Sequence, residues 1–209
     1  VGDIFSSGSP LNPHWFNYGS LPLYVFRAVA GLAATFRDSA SFIPADVVLW
    51  RALSGVADVV TLILAALIAR RLFGKISGLL TALLYAVAVL PIQLSHFYTV
   101  DPLMATFTTG AISAAIVFVS GRSVRWGYVA AALAGLAIAT KAAALLFVAP
   151  VAAAWVIVII NERKNQSRWP TNLLLGGAAA ASLSMMAFAI GQPYALLDWE
   201  AFSDDVLFQ

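Results

Sequence analysis

Long apolar segments follow one another along this chain with few interruptions, and they constrain what it can fold into. The predicted helices cover residues 46–69, 76–94, 102–120, 124–140, 142–160 and 171–190. A helix of about 17–25 residues crosses the hydrocarbon core of a bilayer. Of the 209 residues, 61% are hydrophobic and only 11% charged, whereas soluble proteins contain about 25% charged residues. The sequence therefore predicts an all-α, polytopic membrane bundle of about six transmembrane helices.

The two ends of the chain differ from this apolar middle. Residues 1–45 are rich in Pro, Ser, Gly and aromatic residues, and Trp and Tyr concentrate at membrane–water interfaces. We predict a loop on the membrane surface, with one short interfacial helix at about 21–35. Residues 191–209 are predicted to begin another loop. The chain opens at Val1 with no signal peptide visible, so we expect a fragment of a larger protein with sequence missing at both ends.

Positive charge is distributed unevenly between the two ends of the predicted helices. Eight of the twelve basic residues fall in three short loops at one end: Arg70, Arg71, Lys75, Arg122, Arg125, Arg163, Lys164 and Arg168. Nearly all carboxylates fall at the other end. Short loops rich in Lys and Arg stay cytoplasmic. The sequence therefore predicts that residues 1–45, 95–103 and 191–209, together with Lys141, share the extracytoplasmic side.

The segment SHFYTVDPL, residues 95–103, places polar side chains between two apolar runs. Asp101 is the only carboxylate between Asp58 and Glu162, and a lone acid at the mouth of a membrane helix indicates a function there. An alternative is structural, because Asp before Pro102 is a common helix start, with Asp as the N-cap and Pro at N1. The two interpretations are compatible, since a capping carboxylate can also act as a catalytic base.

Three further charged residues lie within or beside the apolar segments. Lys141 separates two predicted helices near the outer face; it either snorkels into the headgroups or places a point charge on a phosphate. Arg51 and Asp58 lie seven residues apart, about two helical turns, and so share one helix face. For Asp58 we favour a polar seam facing neighbouring helices, whereas Arg51 lies nearer the surface and could reach an anionic headgroup.

The sequence contains no metal-binding motif. His96 and His14 are the two histidines, and cysteine is absent, whereas a zinc site needs three or four ligands. We therefore predict no metal ligands, although a divalent metal cofactor stays open. The net charge of +2 indicates no nucleic-acid partner.

Several motifs, taken in order, resemble the GT-C superfamily of membrane glycosyltransferases. They are NPHWFNYGSLPLY, RALSGVADVVTLILAALIARRLFG, PIQLSHFYTVDPLMATF, GLAIATK and QPYALLD. Each motif alone is loose, but their order and spacing are fairly specific and cover most of the chain. More narrowly, the chain is similar to the branch of protein O-mannosyltransferases and bacterial lipid-carrier-dependent sugar transferases.

The resemblance implies an enzyme that moves a sugar from a polyprenyl-phosphate donor to an acceptor hydroxyl on a protein, lipid or glycan. The implied location is a bacterial or archaeal plasma membrane, with the active site on the extracytoplasmic side. Asp101 matches the acid that opens a helix after the second outer loop, and Lys141 matches the lysine beside the lipid phosphate. The acidic pair typical of the first outer loop is absent; we expect it, with a first helix, upstream of Val1. The fragment alone could then be inactive.

Asp101 is the one catalytic candidate in the sequence, and seven other residues are candidates for substrate binding. The latter are Lys141, His96, Tyr98, Arg51, His14, Tyr18 and Tyr194. Tyr18 and Tyr194 could stack on a sugar ring, or could simply anchor the chain at the interface. The alternative functions are a transporter or lipid-linked-sugar flippase, which would place ionisable residues at mid-membrane, and a non-catalytic membrane scaffold.

Overall fold

A computed structural model describes residues 18–34, 45–97, 99–121, 123–166 and 171–207. Within these ranges the chain is helical and contains no strand. The helices are α1 (Leu21–Ala34), α2 (Ala45–Phe73), α3 (Lys75–Ala86), α4 (Val89–His96), α5 (Asp101–Gly121), α6 (Val124–Thr140), α7 (Val148–Gln166), α8 (Thr171–Gly191), α9 (Tyr194–Leu197) and α10 (Trp199–Leu207), and a 3₁₀ segment (Ala142–Phe147) precedes α7. The predicted all-α helix bundle is confirmed.

Four stretches of helix in the described ranges are long and apolar enough to cross a membrane. They are Val48–Phe73, Asp101–Gly121, Ala142–Asn165 and Thr171–Gly191. The bent pair α3 and α4 would make a fifth. With 17 residues, α6 is at the lower limit for a transmembrane helix, about 17 residues, so a sixth crossing stays a prediction.

The predicted helix 76–94 is wrong as one uninterrupted element. The structure divides it into α3 and α4, which meet at an angle of 53°. Pro91 explains the break, because a proline inside a helix clashes with the carbonyl four residues earlier and has no N–H to donate. That earlier residue is Val87, which follows the last residue of α3, and Ala88 after it takes an extended conformation.

Short helices form at both ends of the described chain, and those at the C-terminal end were not predicted. A helix predicted at about 21–35 is present as α1, while its interfacial position stays a prediction. Phe26 of α1 stacks on Trp50 of α2 with 3.3 Å between ring centroids. Residues 191–209 were predicted as a loop, but α9 and α10 form there. In α10, Trp199 and Phe202 are three residues apart and pack against each other, because that spacing places them on one helix face.

The core of the bundle lies where α6 packs against α5, α7 and α8. Its buried residues are mostly alanines, with Phe118 and Trp155 as the largest side chains. The Trp155 ring lies 4.7 Å from that of Phe118 and 5.8 Å from that of Tyr128. Small residues allow helix backbones to approach closely in lipid, where packing rather than hydrophobicity drives association. The Ala-rich sequence of α6 thus explains its central position.

Polar side chains connect α2 to its neighbours inside the bundle. The Tyr85 hydroxyl donates a hydrogen bond of 2.7 Å to Asp58, joining α3 to α2. The Thr106 hydroxyl of α5 donates to the Ala57 carbonyl at 2.7 Å and lies 2.9 Å from the Thr61 hydroxyl. The predicted polar seam at Asp58 is therefore confirmed. Sequence reasoning did not identify Tyr85 as its partner, because the tyrosine lies 27 residues further along the chain.

Gly135→Ala is expected to destabilise the contact between α6 and α8. A Cβ at position 135 would overlap the backbone carbonyl oxygen of Ser184, which cannot rotate away as a side chain can. Overpacking of this kind costs about 1–3 kcal/mol. Gly55→Ala is the control, because no atom of the described residues lies within 4 Å of its Cβ position. Thermal unfolding in detergent should show a lower midpoint for Gly135→Ala alone; equal midpoints would contradict this account of the packing.

Candidate active site

Asp101 and Lys141, forty residues apart in sequence, are in direct contact. The Lys141 ammonium donates a hydrogen bond of 2.8 Å to one carboxylate oxygen of Asp101. The lysine side chain is 27% exposed and that of the aspartate 35%. The pair is therefore accessible from one side. It lies at the end of the bundle where α5 begins and α6 ends.

Lys141 occupies a break between helices. Helix α6 ends at Thr140, and Lys141 takes an extended conformation with φ −159° and ψ 129°. Its backbone N–H still donates to Ala137, and its carbonyl accepts from the N–H of Ala144, which starts the 3₁₀ segment. The lysine therefore stands at a turn whose backbone bonds are satisfied, and its side chain reaches out of the helix axis towards α5.

Asp101 begins α5, but not as the predicted N-cap. The first helical acceptor is the carbonyl of Val100, which receives the N–H of Met104 at 3.0 Å. Val100 is thus the capping residue and Asp101 the first residue of the helix. The Asp101 carboxylate bonds to Lys141 instead of a backbone N–H. A negative charge in the first turn still interacts favourably with the helix dipole.

The segment before α1 packs directly beneath Lys141. The backbone N–H of Gly19 donates to the Thr140 carbonyl at 3.0 Å. A Cβ at position 19 would overlap the carbonyl of Ala139, so only glycine permits this approach. As a result the Tyr18 ring lies 5.6 Å from the Lys141 ammonium, within the range of a cation–π interaction. Tyr18 is 42% exposed, which leaves part of the ring open to a ligand.

Tyr194 lies on α9, beyond a second close approach to α6. Gly191, at the end of α8, is buried against the Cβ of Ala139, and Leu21 of α1 lies next to it. Burial raises the pKa of the Tyr24 phenol of α1, and proximity to Tyr194 raises this pKa further. The segments before α1 and after α8 therefore meet at the same end of the bundle as Lys141.

The remaining predicted site residues are not joined to this pair by any hydrogen bond or ion pair within the described ranges. His96, at the end of α4, is exposed, and its Nδ1 lies 2.6 Å from the Ile92 carbonyl, so this nitrogen carries the proton. Arg51 is exposed on α2. Tyr98 and His14 lie outside the described residues.

The arrangement combines a proton acceptor, a fixed cation and an aromatic face. Lysine has three N–H donors, so Lys141 can hold Asp101 and still donate to an anionic ligand. Asp101 retains a second carboxylate oxygen for a hydroxyl group. Among the described residues, no three His, Asp or Glu side chains are grouped to hold a metal ion. The site is therefore suited to acid–base chemistry beside a bound anion.

The fold and the site together define a class: a polytopic helical membrane protein with a carboxylate–ammonium pair at one end of its bundle. A family profile, dolichyl-phosphate-mannose-protein mannosyltransferase, matches residues 24–188. The chain belongs to this family and is a membrane glycosyltransferase of the GT-C type. Comparison with curated proteins and with solved structures found no match. The resemblance seen in the sequence is thus confirmed, and the family favours an enzyme over a transporter or a scaffold.

Proposed function

We propose that the protein transfers a sugar, mannose in the first instance, from a polyprenyl-phosphate carrier to an acceptor hydroxyl on the extracytoplasmic side. The observation that carries the proposal is the contact between Lys141 and Asp101. Transfer from a phosphate carrier needs a base for the hydroxyl and positive charge for the departing phosphate. The pair supplies both groups within one hydrogen bond of each other.

The acceptor oxygen attacks the anomeric carbon of the sugar, and the bond between that carbon and the phosphate oxygen breaks. The electrons of this bond pass to the polyprenyl phosphate, whose added charge Lys141 stabilises. The proton of the acceptor hydroxyl passes to Asp101. Tyr18 offers a ring face to the sugar, while Tyr194, His96 and Arg51 are additional substrate-binding candidates.

The direct test is a transfer assay with the full-length enzyme, purified and placed in lipid vesicles. Polyprenyl-phosphate mannose and a peptide rich in serine and threonine serve as substrates, and a nucleotide-linked mannose serves as the control donor. We expect mannose on the peptide only with the lipid-linked donor, because a single lysine suits one phosphate at the membrane surface. Transfer from the nucleotide sugar, or none from either donor, would overturn the proposal.

The proposed sidedness predicts which introduced cysteines can be labelled in intact cells. The chain has no native cysteine, so each variant carries a single target. Asn165→Cys, next to the basic residues at the end of α7, should resist a membrane-impermeant maleimide, whereas Glu200→Cys in α10 should react. We expect this difference because short loops rich in Lys and Arg stay on the cytoplasmic side of the membrane. External labelling at position 165 would place the Asp101–Lys141 pair on the cytoplasmic side.

A further inference from the structure

A groove runs along the surface of the bundle between α2, α5 and α6. It has a volume of about 630 Å³ and an almost entirely apolar lining that includes Leu64, Leu67, Gly110, Val117, Val129 and Leu133. Several of these side chains are open to the surroundings, and Leu67 is 52% exposed. A groove of this composition at membrane depth fits a hydrocarbon chain.

One end of the groove is basic. Arg70 and Arg71 line it beside Trp126, and no carboxylate of the described residues contributes to the lining. Neither arginine forms an ion pair within the described ranges. Lys75 lies four residues after Arg71 in sequence, and Arg125 directly precedes Trp126. Basic pockets between transmembrane helices bind the headgroups of anionic lipids, and arginine pairs with phosphate through two parallel hydrogen bonds.

The length of the groove matches one leaflet of a bilayer. On α2 its lining runs from Val60 to Arg71, which is about 16 Å at a rise of 1.5 Å per residue. A single leaflet provides about 15 Å of hydrocarbon, half of the bilayer core. The groove therefore has the depth of one acyl chain whose headgroup lies at the arginines.

The wall of the groove also contains a hydroxyl without a partner. Ser113 lines the groove, and its buried Oγ has no hydrogen-bond partner among the described residues. Other hydroxyls in these helices donate to the carbonyl four residues earlier, as Thr108 and Ser120 do. An ester carbonyl just below a lipid headgroup is a suitable acceptor for Ser113.

We propose that this groove binds one acyl chain of an anionic glycerophospholipid, with the lipid phosphate held by Arg70 and Arg71. The site is separate from the proposed donor site. Along α5, Val117 at the basic end of the groove is sixteen residues from Asp101, or about 24 Å. One phosphate cannot contact both Lys141 and the two arginines, so the proposal does not depend on the glycosyl transfer reaction.

Native mass spectrometry of the delipidated protein in detergent tests the headgroup contact. The probes are phosphatidylglycerol and phosphatidylcholine with identical acyl chains. We expect tighter binding of phosphatidylglycerol, and a loss of about 30-fold in its affinity in the double variant R70Q/R71Q. The control R163Q/K164Q removes the same charge from α7, outside the groove, and should bind as the wild type. Equal binding of both lipids, or equal losses in both double variants, would overturn the proposal.

A second pair of variants tests the acyl chain. Leu67→Trp fills the groove from its open side, while Leu72→Trp changes an equally exposed residue of α2, 52% exposed, that does not line it. We expect Leu67→Trp alone to weaken binding of phosphatidylglycerol, with thermal midpoints that match between the two variants. If glycerol 3-phosphate competed with phosphatidylglycerol at a similar concentration, the groove would be a site for a free anion. If polyprenyl phosphate displaced phosphatidylglycerol, and if Lys141→Gln abolished that displacement, the groove would belong to the lipid-linked sugar donor. Either result would overturn the proposal.

Discussion

Asp101→Asn is expected to lower the rate of sugar transfer by about 10²–10⁴-fold, the usual contribution of a general base. The substitution is selective because of where the structure places this carboxylate. Asparagine keeps an oxygen that can accept the hydrogen bond from Lys141, which is 2.8 Å long in the native protein. It removes the negative charge and the ability to accept a proton. The lysine should therefore stay in place while the chemistry is lost.

The measurement is transfer from polyprenyl-phosphate mannose, with thermal unfolding of the same preparation as a check on folding. Asp204→Asn, an exposed carboxylate of α10, is the matched control and should keep full activity. Asp101→Ala is less informative, because it also deprives Lys141 of its partner. Near wild-type turnover of Asp101→Asn would leave Asp101 as a residue that only positions Lys141, and another acid would have to be the base.

Lys141→Gln is expected to lower the transfer rate by about 10²–10³-fold, as the loss of one electrostatic stabiliser of a transition state does. The departing polyprenyl phosphate gains negative charge, and Lys141 is the basic residue that contacts Asp101. Glutamine preserves length and hydrogen bonding but carries no charge. The same variant should bind free polyprenyl phosphate more weakly, which a purely structural lysine would not cause.

The control for charge is Lys164→Gln, an exposed lysine at the end of α7 and at the opposite end of the bundle. It should leave both turnover and phosphate binding unchanged. In the double variant of Asp101→Asn and Lys141→Gln, the loss should be smaller than the product of the single losses, because residues in contact are energetically coupled. Strictly multiplicative losses would show that the two side chains act independently, contrary to the geometry of the site.

Local signals in the sequence predicted several helix boundaries well. The predicted segments 102–120 and 171–190 correspond to Asp101–Gly121 and Thr171–Gly191. In both cases a proline marks the start, and Gly191 follows the end of the second segment. A proline inside an apolar run was interpreted incorrectly. Pro91 was included in one long predicted helix, yet it separates α3 from α4. An apolar run shows that a segment is in the membrane, but not that it is straight.

The candidate site was only partly visible in the sequence. Asp101 and Lys141 were identified because a charge is rare in such an apolar chain, and charge in a lipid environment is costly. Gly19 had no comparable signal, because a glycine in a loop has many explanations. Its role depends on the carbonyls of Ala139 and Thr140, which lie about 120 residues away in sequence.

The sequence by itself determined the class of the protein, the main apolar segments and the two charged residues on which the proposed chemistry depends. These properties are local: hydropathy, helix start and stop residues, and rare charges are all read within a few turns. Only the tertiary structure decided that the Lys141 ammonium bonds to Asp101, that Tyr18 lies beside it, and that Asp58 pairs with Tyr85. Those contacts depend on how α6 packs on α5 and on the segment before α1. Ala-rich helices surrounded by lipid carry little pattern that fixes their rotation or depth.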